Sequence, residues 1–115
     1  MYNGQIAVIS SKATWLFSGV DLVDEDTGTI TDLTDPTLTV DIVVTIKDID
    51  GCWTIATASI ANGKVTIPGP GFQWQFEVDD LSSLRGATYR LGVKVTINDF
   101  VNDLIDGTIA VVEGN

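Results

Sequence analysis

Residues 81–95 read LSSLRGATYRLGVKV and contain the clearest indication of the fold. From Tyr89 to Val95 the apolar and polar side chains alternate without interruption. Successive side chains of a β-strand point to opposite faces, so this alternation is typical of a strand with one buried and one hydrated face. The preceding part is polar and contains Gly86, which suits a chain that turns between two elements. We therefore interpret the stretch as a corner followed by a strand.

The same two-residue period recurs elsewhere in the chain. It is clearest in TLTVDIVVTIK (37–47), FQWQFEV (72–78) and TYRLGVKVTIN (88–98). One hydrated face per strand indicates antiparallel sheets, because strands of parallel sheets are usually buried on both faces. No segment shows a convincing helical period, and the many short strands are typical of a sandwich or a small barrel. Strands are predicted near 5–10, 13–18, 20–24, 37–49, 52–60, 64–67, 72–78, 87–98 and 104–113.

Turns are predicted where glycine and proline interrupt this pattern. Asp50-Gly51 and Asn62-Gly63 tolerate the positive φ angles of tight hairpin turns. Pro-Gly-Pro-Gly at 68–71 breaks the pattern because proline donates no backbone N–H. Further turns are predicted at Asp26-Thr27-Gly28 and at Asp106-Gly107.

The length and composition predict one domain with a packed core. The chain has 115 residues, of which 44% are hydrophobic and 19% charged, and this excludes a disordered chain. We expect a single domain over residues 1–115. Cys52 is the only cysteine, so an internal disulfide is excluded, and we expect its side chain to be buried or half-buried.

The charge excludes several partners. Sixteen acidic and six basic residues give a net charge of −10, which repels nucleic acid and disfavours an anionic membrane surface. The N-terminal segment has no basic leader followed by an apolar run, and no stretch approaches the roughly 20 apolar residues of a transmembrane helix. We expect a soluble protein made in a cytoplasm, without signal peptide or membrane span.

The spacing of Leu84, Gly86 and Tyr89 predicts a structural corner. Immunoglobulin-like sandwiches often place a tyrosine at the start of a strand, with its hydroxyl bonded to backbone just upstream. Leu91 stands where antibody domains have a disulfide cysteine, and a hydrophobic residue can fill that position. With the strand pattern, this predicts an all-β, immunoglobulin-like antiparallel β-sandwich.

Residue types that common catalytic sites require are missing. The sequence contains no histidine, which removes Ser-His-Asp triads, Cys-His pairs and histidine-ligated metals. Paired carboxylates could hydrolyse glycosides, but the acids of residues 21–35 are crowded and lack apolar pockets. We expect no enzymatic activity. Arg85 and Arg90 could bind a ligand, although we favour an architectural role for their stretch.

The acidic segment DLVDEDTGTITDLTD (21–35) is a candidate calcium site, with Asp24, Asp26 and Asp32 as candidate ligands. Ca²⁺ favours several carboxylate and carbonyl oxygens. The segment does not match an EF-hand loop, which needs more oxygen ligands and a bidentate glutamate downstream. A solvated acidic loop is the more ordinary interpretation, so no cofactor is expected apart from this Ca²⁺ alternative.

Three tryptophans leave a carbohydrate-binding alternative open, because exposed aromatic rings can stack on sugars. Trp74 shares a strand face with Phe72 and Phe76, which favours the core. Trp15 and Trp53 could be partly exposed, although a core or subunit interface is favoured for both.

Several segments together resemble a known family. They are Trp15-Leu-Phe17, Val20-Asp-Leu22 and Asp32-Leu-Thr34, then Asn62-Gly-Lys-Val-Thr-Ile67, Phe72-Gln-Trp-Gln-Phe76, Leu84-Arg-Gly-Ala-Thr-Tyr89 and Asp106-Gly-Thr-Ile-Ala-Val111. Over roughly residues 14–113, the chain resembles the small immunoglobulin-like virion proteins of tailed bacteriophages and prophages. It is similar to the immunoglobulin-like domain that opens phage baseplate upper proteins. The resemblance implies a non-enzymatic structural part of the tail, baseplate or capsid surface, assembled in symmetric copies with other virion proteins.

Outward apolar side chains are candidate contact sites. A mean hydropathy of +0.26 in so acidic a chain indicates that the uncharged surface includes apolar area, which often marks partner contacts. Ile6, Val8 and Val43 are the candidate interface residues. Residues 1–12 are a candidate interaction strand, in which QIAVIS (5–10) could add to the sheet edge of a neighbour. We expect a homo-oligomer; a carbohydrate-binding or adhesin-like module and a generic interaction domain are the alternatives.

Overall fold

The computed structural model describes residues 4–10, 13–23, 28–81 and 84–112. Within these ranges ten strands and one short helix follow one another. They are β1 (Gln5–Ser10), β2 (Trp15–Val20), β3 (Leu22–Val23), β4 (Ile30–Thr31), β5 (Val40–Lys47), β6 (Thr54–Ser59), β7 (Val65–Thr66), β8 (Phe72–Phe76), α1 (Val78–Leu81), β9 (Ala87–Ile97) and β10 (Phe100–Val112). No helix in the described ranges has the length and apolar character that crossing a membrane requires.

Two sheets form a sandwich. One has five strands in the order β1-β10-β9-β5-β6, the other has three in the order β2-β8-β7, and β3 and β4 form a separate two-stranded ribbon. The order β10-β9-β5-β6 corresponds to strands G, F, C and C′ of a variable-type immunoglobulin domain, and β2-β8-β7 corresponds to B, E and D. The prediction of an all-β, immunoglobulin-like sandwich is confirmed. The strand pairs are antiparallel except β1 with β10, which is parallel.

Aromatic side chains of β2 and β8 fill the space between the sheets. The ring of Trp74 is fully buried, stacks on Phe17 with centroids 4.6 Å apart, and meets Trp15 edge-on at 5.8 Å. Phe72 and Phe76 are 1% and 0% exposed, so the predicted core role of this strand face is confirmed. Burying each such side chain stabilises the fold by roughly 1.5–3 kcal/mol. The opposite sheet contributes Ile42, Val44, Ile46, Leu91, Val93 and Val95.

The turn between β9 and β10 lies at Asn98 and Asp99, which have φ angles of 50° and 70°. Asparagine and aspartate tolerate this left-handed backbone better than other non-glycine residues. β10 therefore starts at Phe100 and not near residue 104, and the long hairpin runs the length of the sheet.

The predicted turn at Asp106-Gly107 is wrong, because both residues lie inside β10. Gly107 is buried beside β1, and a Cβ atom there would lie 2.4 Å from the carbonyl oxygen of Gly4. Glycine at this position thus allows a close approach of two backbones, the other common reason for glycine in a strand.

The short helix α1 follows β8, where the sequence pattern predicted a strand as far as residue 78. The Asp80 carboxylate accepts a hydrogen bond from the Glu77 backbone N–H at 3.0 Å, as the third helical residue does in a capping box. Leu81 and Leu84 are buried, so this segment is fastened to the core before β9 begins.

Candidate functional site

The corner before β9 is closed by one side chain. The Tyr89 hydroxyl accepts a hydrogen bond from the Arg85 backbone N–H and donates one to the Arg85 carbonyl, both at 3.1 Å. Leu84 is buried, and Gly86, between Leu84 and Tyr89 in the chain, is exposed. The three predicted corner residues therefore lie together, while residue 85 is exposed.

The predicted calcium ligands are not brought together in the described part of the chain. Asp24 and Asp26 lie outside the described residues. The Asp32 carboxylate accepts hydrogen bonds from the backbone N–H and the hydroxyl of Thr34, so it closes a local turn. Among the described residues, no three His, Cys, Asp or Glu side chains are grouped to hold a metal ion.

The β5–β6 turn presents Trp53 to solvent. One oxygen of the Asp48 carboxylate accepts the backbone N–H groups of Cys52 and Trp53, at 2.8 and 3.1 Å. The Trp53 side chain is 73% exposed, and Ile49 beside it is 54% exposed. Cys52 is exposed as well, which corrects the expectation of a buried side chain: its amide donates to Asp48 and its thiol to the Asp50 carbonyl, so the turn holds it at the surface.

The tip of the β9–β10 hairpin is a second exposed apolar feature. The Asn98 side-chain oxygen accepts the Thr39 backbone N–H at 2.8 Å, and the Asn98 N–H donates to the Thr39 carbonyl at 2.9 Å. These bonds tie the tip to the segment that leads into β5. Directly after it, Phe100 is 75% and Val101 is 55% exposed.

A groove of about 530 Å³ lies on the outer face of the five-stranded sheet, and we call it the sheet groove. Its centre is at Gly92, where a Cβ atom would lie 3.2 Å from the Thr45 hydroxyl oxygen. Because no side chain stands at residue 92, the surface is depressed between β5 and β10. The groove is lined by Val43, Thr45, Lys47, Gly51, Arg90, Gly92, Val93, Lys94, Asp103, Ile105 and Asp106.

The sheet groove holds half of the basic residues of the chain, three of six: Lys47, Arg90 and Lys94. The Arg90 guanidinium lies 3.3 Å from the Asp106 carboxylate. Lys47 and Lys94 form no ion pair with any described residue, although Asp103 lies opposite Lys94 across the β9–β10 pair. Such a collection of cations is unexpected in a protein with a net charge of −10.

Sequence reasoning missed this groove. Alternation places Lys47, Arg90 and Lys94 on hydrated strand faces, but it does not predict that the three cations lie together. Of the two arginines considered as ligand-binding residues, Arg90 lines the groove and Arg85 does not. The β5–β9 pairing then sets Lys47 opposite Arg90 and Val43 opposite Lys94, and this register joins residues far apart in the chain.

The three candidate interface residues lie in different surroundings. Ile6 is half-buried against Gly107, Val8 is 60% exposed, and Val43 is half-buried in the sheet groove. QIAVIS forms the edge strand β1 of the chain's own sheet, paired with β10. Addition of this strand to a neighbour's sheet stays a prediction.

In comparisons with known proteins, no protein-family model and no curated protein matches this chain. The functional interpretation therefore rests on the fold and on these surface features.

Proposed function

We propose that the protein is a non-enzymatic structural module of a bacteriophage virion, part of the tail, the baseplate or the capsid surface. Its role is to join neighbouring proteins by direct contacts. The virion assignment follows from the resemblance over residues 14–113, and the joining role is supported by two exposed aromatic side chains, Trp53 and Phe100, toward opposite ends of the five-stranded sheet.

The strand register defines their separation. Phe100 pairs with Ile97, which pairs with Val40 at the start of β5, whereas Trp53 follows the far end of that strand at Lys47. Seven residues of strand separate the two levels, about 23 Å at roughly 3.3 Å per residue. One protein can therefore make an apolar contact at each end.

The two ends have the properties of contact sites. Both side chains expose more than 70% of their surface, and burying a side chain of this kind in an interface contributes roughly 1.5–3 kcal/mol. Tryptophan and phenylalanine are also enriched where protein interfaces are fully buried. Hydrogen bonds that the Asp48 and Asn98 side-chain oxygens accept already order the two turns, so binding orders little additional chain.

The shape of the molecule fits assembly in copies. It measures 44 × 24 × 22 Å, with the long β9–β10 hairpin spanning the sheet. If the Trp53 end of one copy contacts the Phe100 end of the next, this head-to-tail contact produces a ring when the rotation closes.

Light scattering after size-exclusion chromatography tests self-assembly. We expect a mass well above the 12.3 kDa of one chain, and smaller species for Trp53→Ser or Phe100→Ser. Ile30→Ser is the control, because Ile30 is a large apolar residue that is 50% exposed but lies on the separate ribbon. Wild-type protein that stays a monomer at high concentration would contradict self-assembly.

Mass spectrometry of purified particles tests the virion role. Particles from a host that encodes this chain should contain it in a fixed ratio to their other proteins. Particles that lack the chain would contradict the assignment.

A carbohydrate-binding or adhesin-like module is the second candidate, and the 73% exposure of Trp53 favours it. Stacking of a sugar on this ring would change the tryptophan fluorescence of the wild type but not of Trp53→Ser. Constant fluorescence across a panel of neutral and acidic glycans would contradict this candidate.

A further inference from the structure

We propose that the sheet groove binds an extended acidic peptide segment of a neighbouring protein, with its carboxylates at Lys47 and Arg90 on one side of Gly92 and at Lys94 on the other. This site lies on the face of the sheet and does not depend on the contacts at Trp53 and Phe100. The two proposals can therefore fail separately.

The shape of the groove suits a strand-like ligand. Thr45, Gly92 and Asp106 are neighbours across β5, β9 and β10, and the missing side chain at Gly92 lowers the middle of this row. Val43, which is half-buried, adds apolar surface to the lining. A volume of about 530 Å³ lies within the range of ligand sites, roughly 300–1,000 Å³.

The arrangement of charges in the groove favours the binding of an anion. Lys47 and Arg90 are direct cross-strand partners, and like charges in this position repel each other. Asp106 compensates Arg90 at 3.3 Å, but Lys47 has no ion pair among the described residues. A carboxylate placed between the two side chains would remove this repulsion.

The acidic side chains of the groove leave a cationic excess. Its three basic residues face two acidic ones, Asp103 and Asp106, so the lining carries a net charge of +1. Asp103 lies opposite Lys94 and forms no ion pair with it. The rest of the chain is strongly acidic, so a neighbour's carboxylates meet less repulsion at the groove than the net charge of the chain would suggest.

The spacing of the cations matches an extended peptide. Arg90 and Lys94 lie on the same face of β9, four residues apart, which is about 13 Å at roughly 3.3 Å per residue. An extended ligand places its first and fifth side chains at the same separation, with the third side chain over the apolar part. A long polyanion such as nucleic acid is disfavoured, because the chain as a whole carries a charge of −10.

Two-dimensional NMR of the full chain tests the site. The probe is the capped peptide Glu-Thr-Val-Thr-Glu, whose two glutamates and valine share one face, and Gln-Thr-Val-Thr-Gln is its uncharged control. We expect the glutamate peptide alone to shift the amide signals of residues 43–47 and 90–94. The effect should shrink when salt is raised, because exposed ion pairs are screened.

Matched variants separate the groove from the overall charge. Lys94→Gln should weaken binding of the glutamate peptide by roughly two- to fivefold, as expected for a screened surface pair. Arg85→Gln removes the same charge at an exposed position outside the groove and should leave the affinity unchanged. Gly92→Val should abolish binding without changing charge, and because valine favours strands, the variant should keep its fold.

Several outcomes would overturn the proposal. One is equal binding of the two peptides, another is equal weakening by Lys94→Gln and Arg85→Gln, and a third is no shift in either strand. A galacturonate trimer that shifts the same amides more strongly than the glutamate peptide would reassign the groove to an acidic sugar.

Discussion

Tyr89 is bonded twice to the backbone of Arg85, through one hydroxyl that accepts from the N–H and donates to the carbonyl. This pair of hydrogen bonds joins the polar corner to Tyr89, the first residue of β9 that packs against the core. Together with the buried Leu84, these two hydrogen bonds hold the polar corner in one conformation.

Replacing Tyr89 with phenylalanine removes only the hydroxyl. We expect a loss of about 1 kcal/mol in the free energy of unfolding, as for a typical hydrogen bond. Urea denaturation measures it, and binding of the acidic peptide serves as the control because the groove is untouched. A change near zero would show that the two bonds do not stabilise the corner.

Lowering the pH should weaken the contact between Lys64 and Asp80. The Lys64 ammonium lies 2.7 Å from the carboxylate, and this hydrogen bond holds the pKa of Asp80 below its usual value of 3.8. A carboxylate with a lower pKa in the folded than in the unfolded state stabilises the fold fully at pH values above its unfolded-state pKa. This contribution is lost as the pH falls through the folded-state pKa. Asp80→Asn should therefore be less stable than the wild type at neutral pH.

The difference in melting temperature between wild type and Asp80→Asn should shrink as the pH falls below about 4. Asp50→Asn, at an exposed position in the β5–β6 turn, is the control. An equal difference at pH 7 and pH 3 would contradict the role of Asp80.

Adding one methyl group at Gly107 should disturb the attachment of β1. The new Cβ atom would lie within 2.4 Å of the Gly4 carbonyl oxygen, which accepts the Thr108 N–H at 3.0 Å. We expect Gly107→Ala to cost roughly 1–3 kcal/mol, as for an overpacked site. Hydrogen exchange of the β1 amides should quicken, whereas Gly69→Ala, which meets no atom within 4 Å, should leave it unchanged.

Tryptophan fluorescence should report two extreme environments. Trp53 is 73% exposed, while Trp74 is fully buried and its indole N–H has no hydrogen-bond partner among the described residues. We expect Trp53→Phe to remove most of the emission that acrylamide quenches in the monomer and to shift the remaining spectrum to shorter wavelength. Unchanged quenching would mean that Trp53 is covered, for instance by a second copy.

The sandwich could be predicted because alternation assigns each side chain of a strand to one face. Alternation alone assigns Trp74 and the two phenylalanines of β8 to the core, and it assigns Lys94 to a hydrated face. Alternation predicts the orientation of a side chain only where the residue lies within a strand. The predicted strand 52–60 included Trp53, but β6 begins at Thr54, so Trp53 lies in the turn and projects into solvent further than the partial exposure that the sequence allowed.

Glycine pairs were an ambiguous signal. Asn62-Gly63 needs a positive φ of 79° at glycine, whereas Gly107 is needed because β1 passes close by. The local sequence is similar in both cases, and only the tertiary neighbour distinguishes them. The sheet groove escaped prediction for a related reason, since the register of β5 against β9 depends on the packed core.

The parallel pairing of β1 with β10 has a mechanical consequence. A pull applied at Gln5 and at Val112 in opposite directions would slide the two strands along each other, since Gln5 begins β1 and Val112 ends β10. The backbone hydrogen bonds between the two strands would then be loaded together in shear, so they could not break one after another. A chain built in this way resists extension along its length more strongly than its modest size suggests.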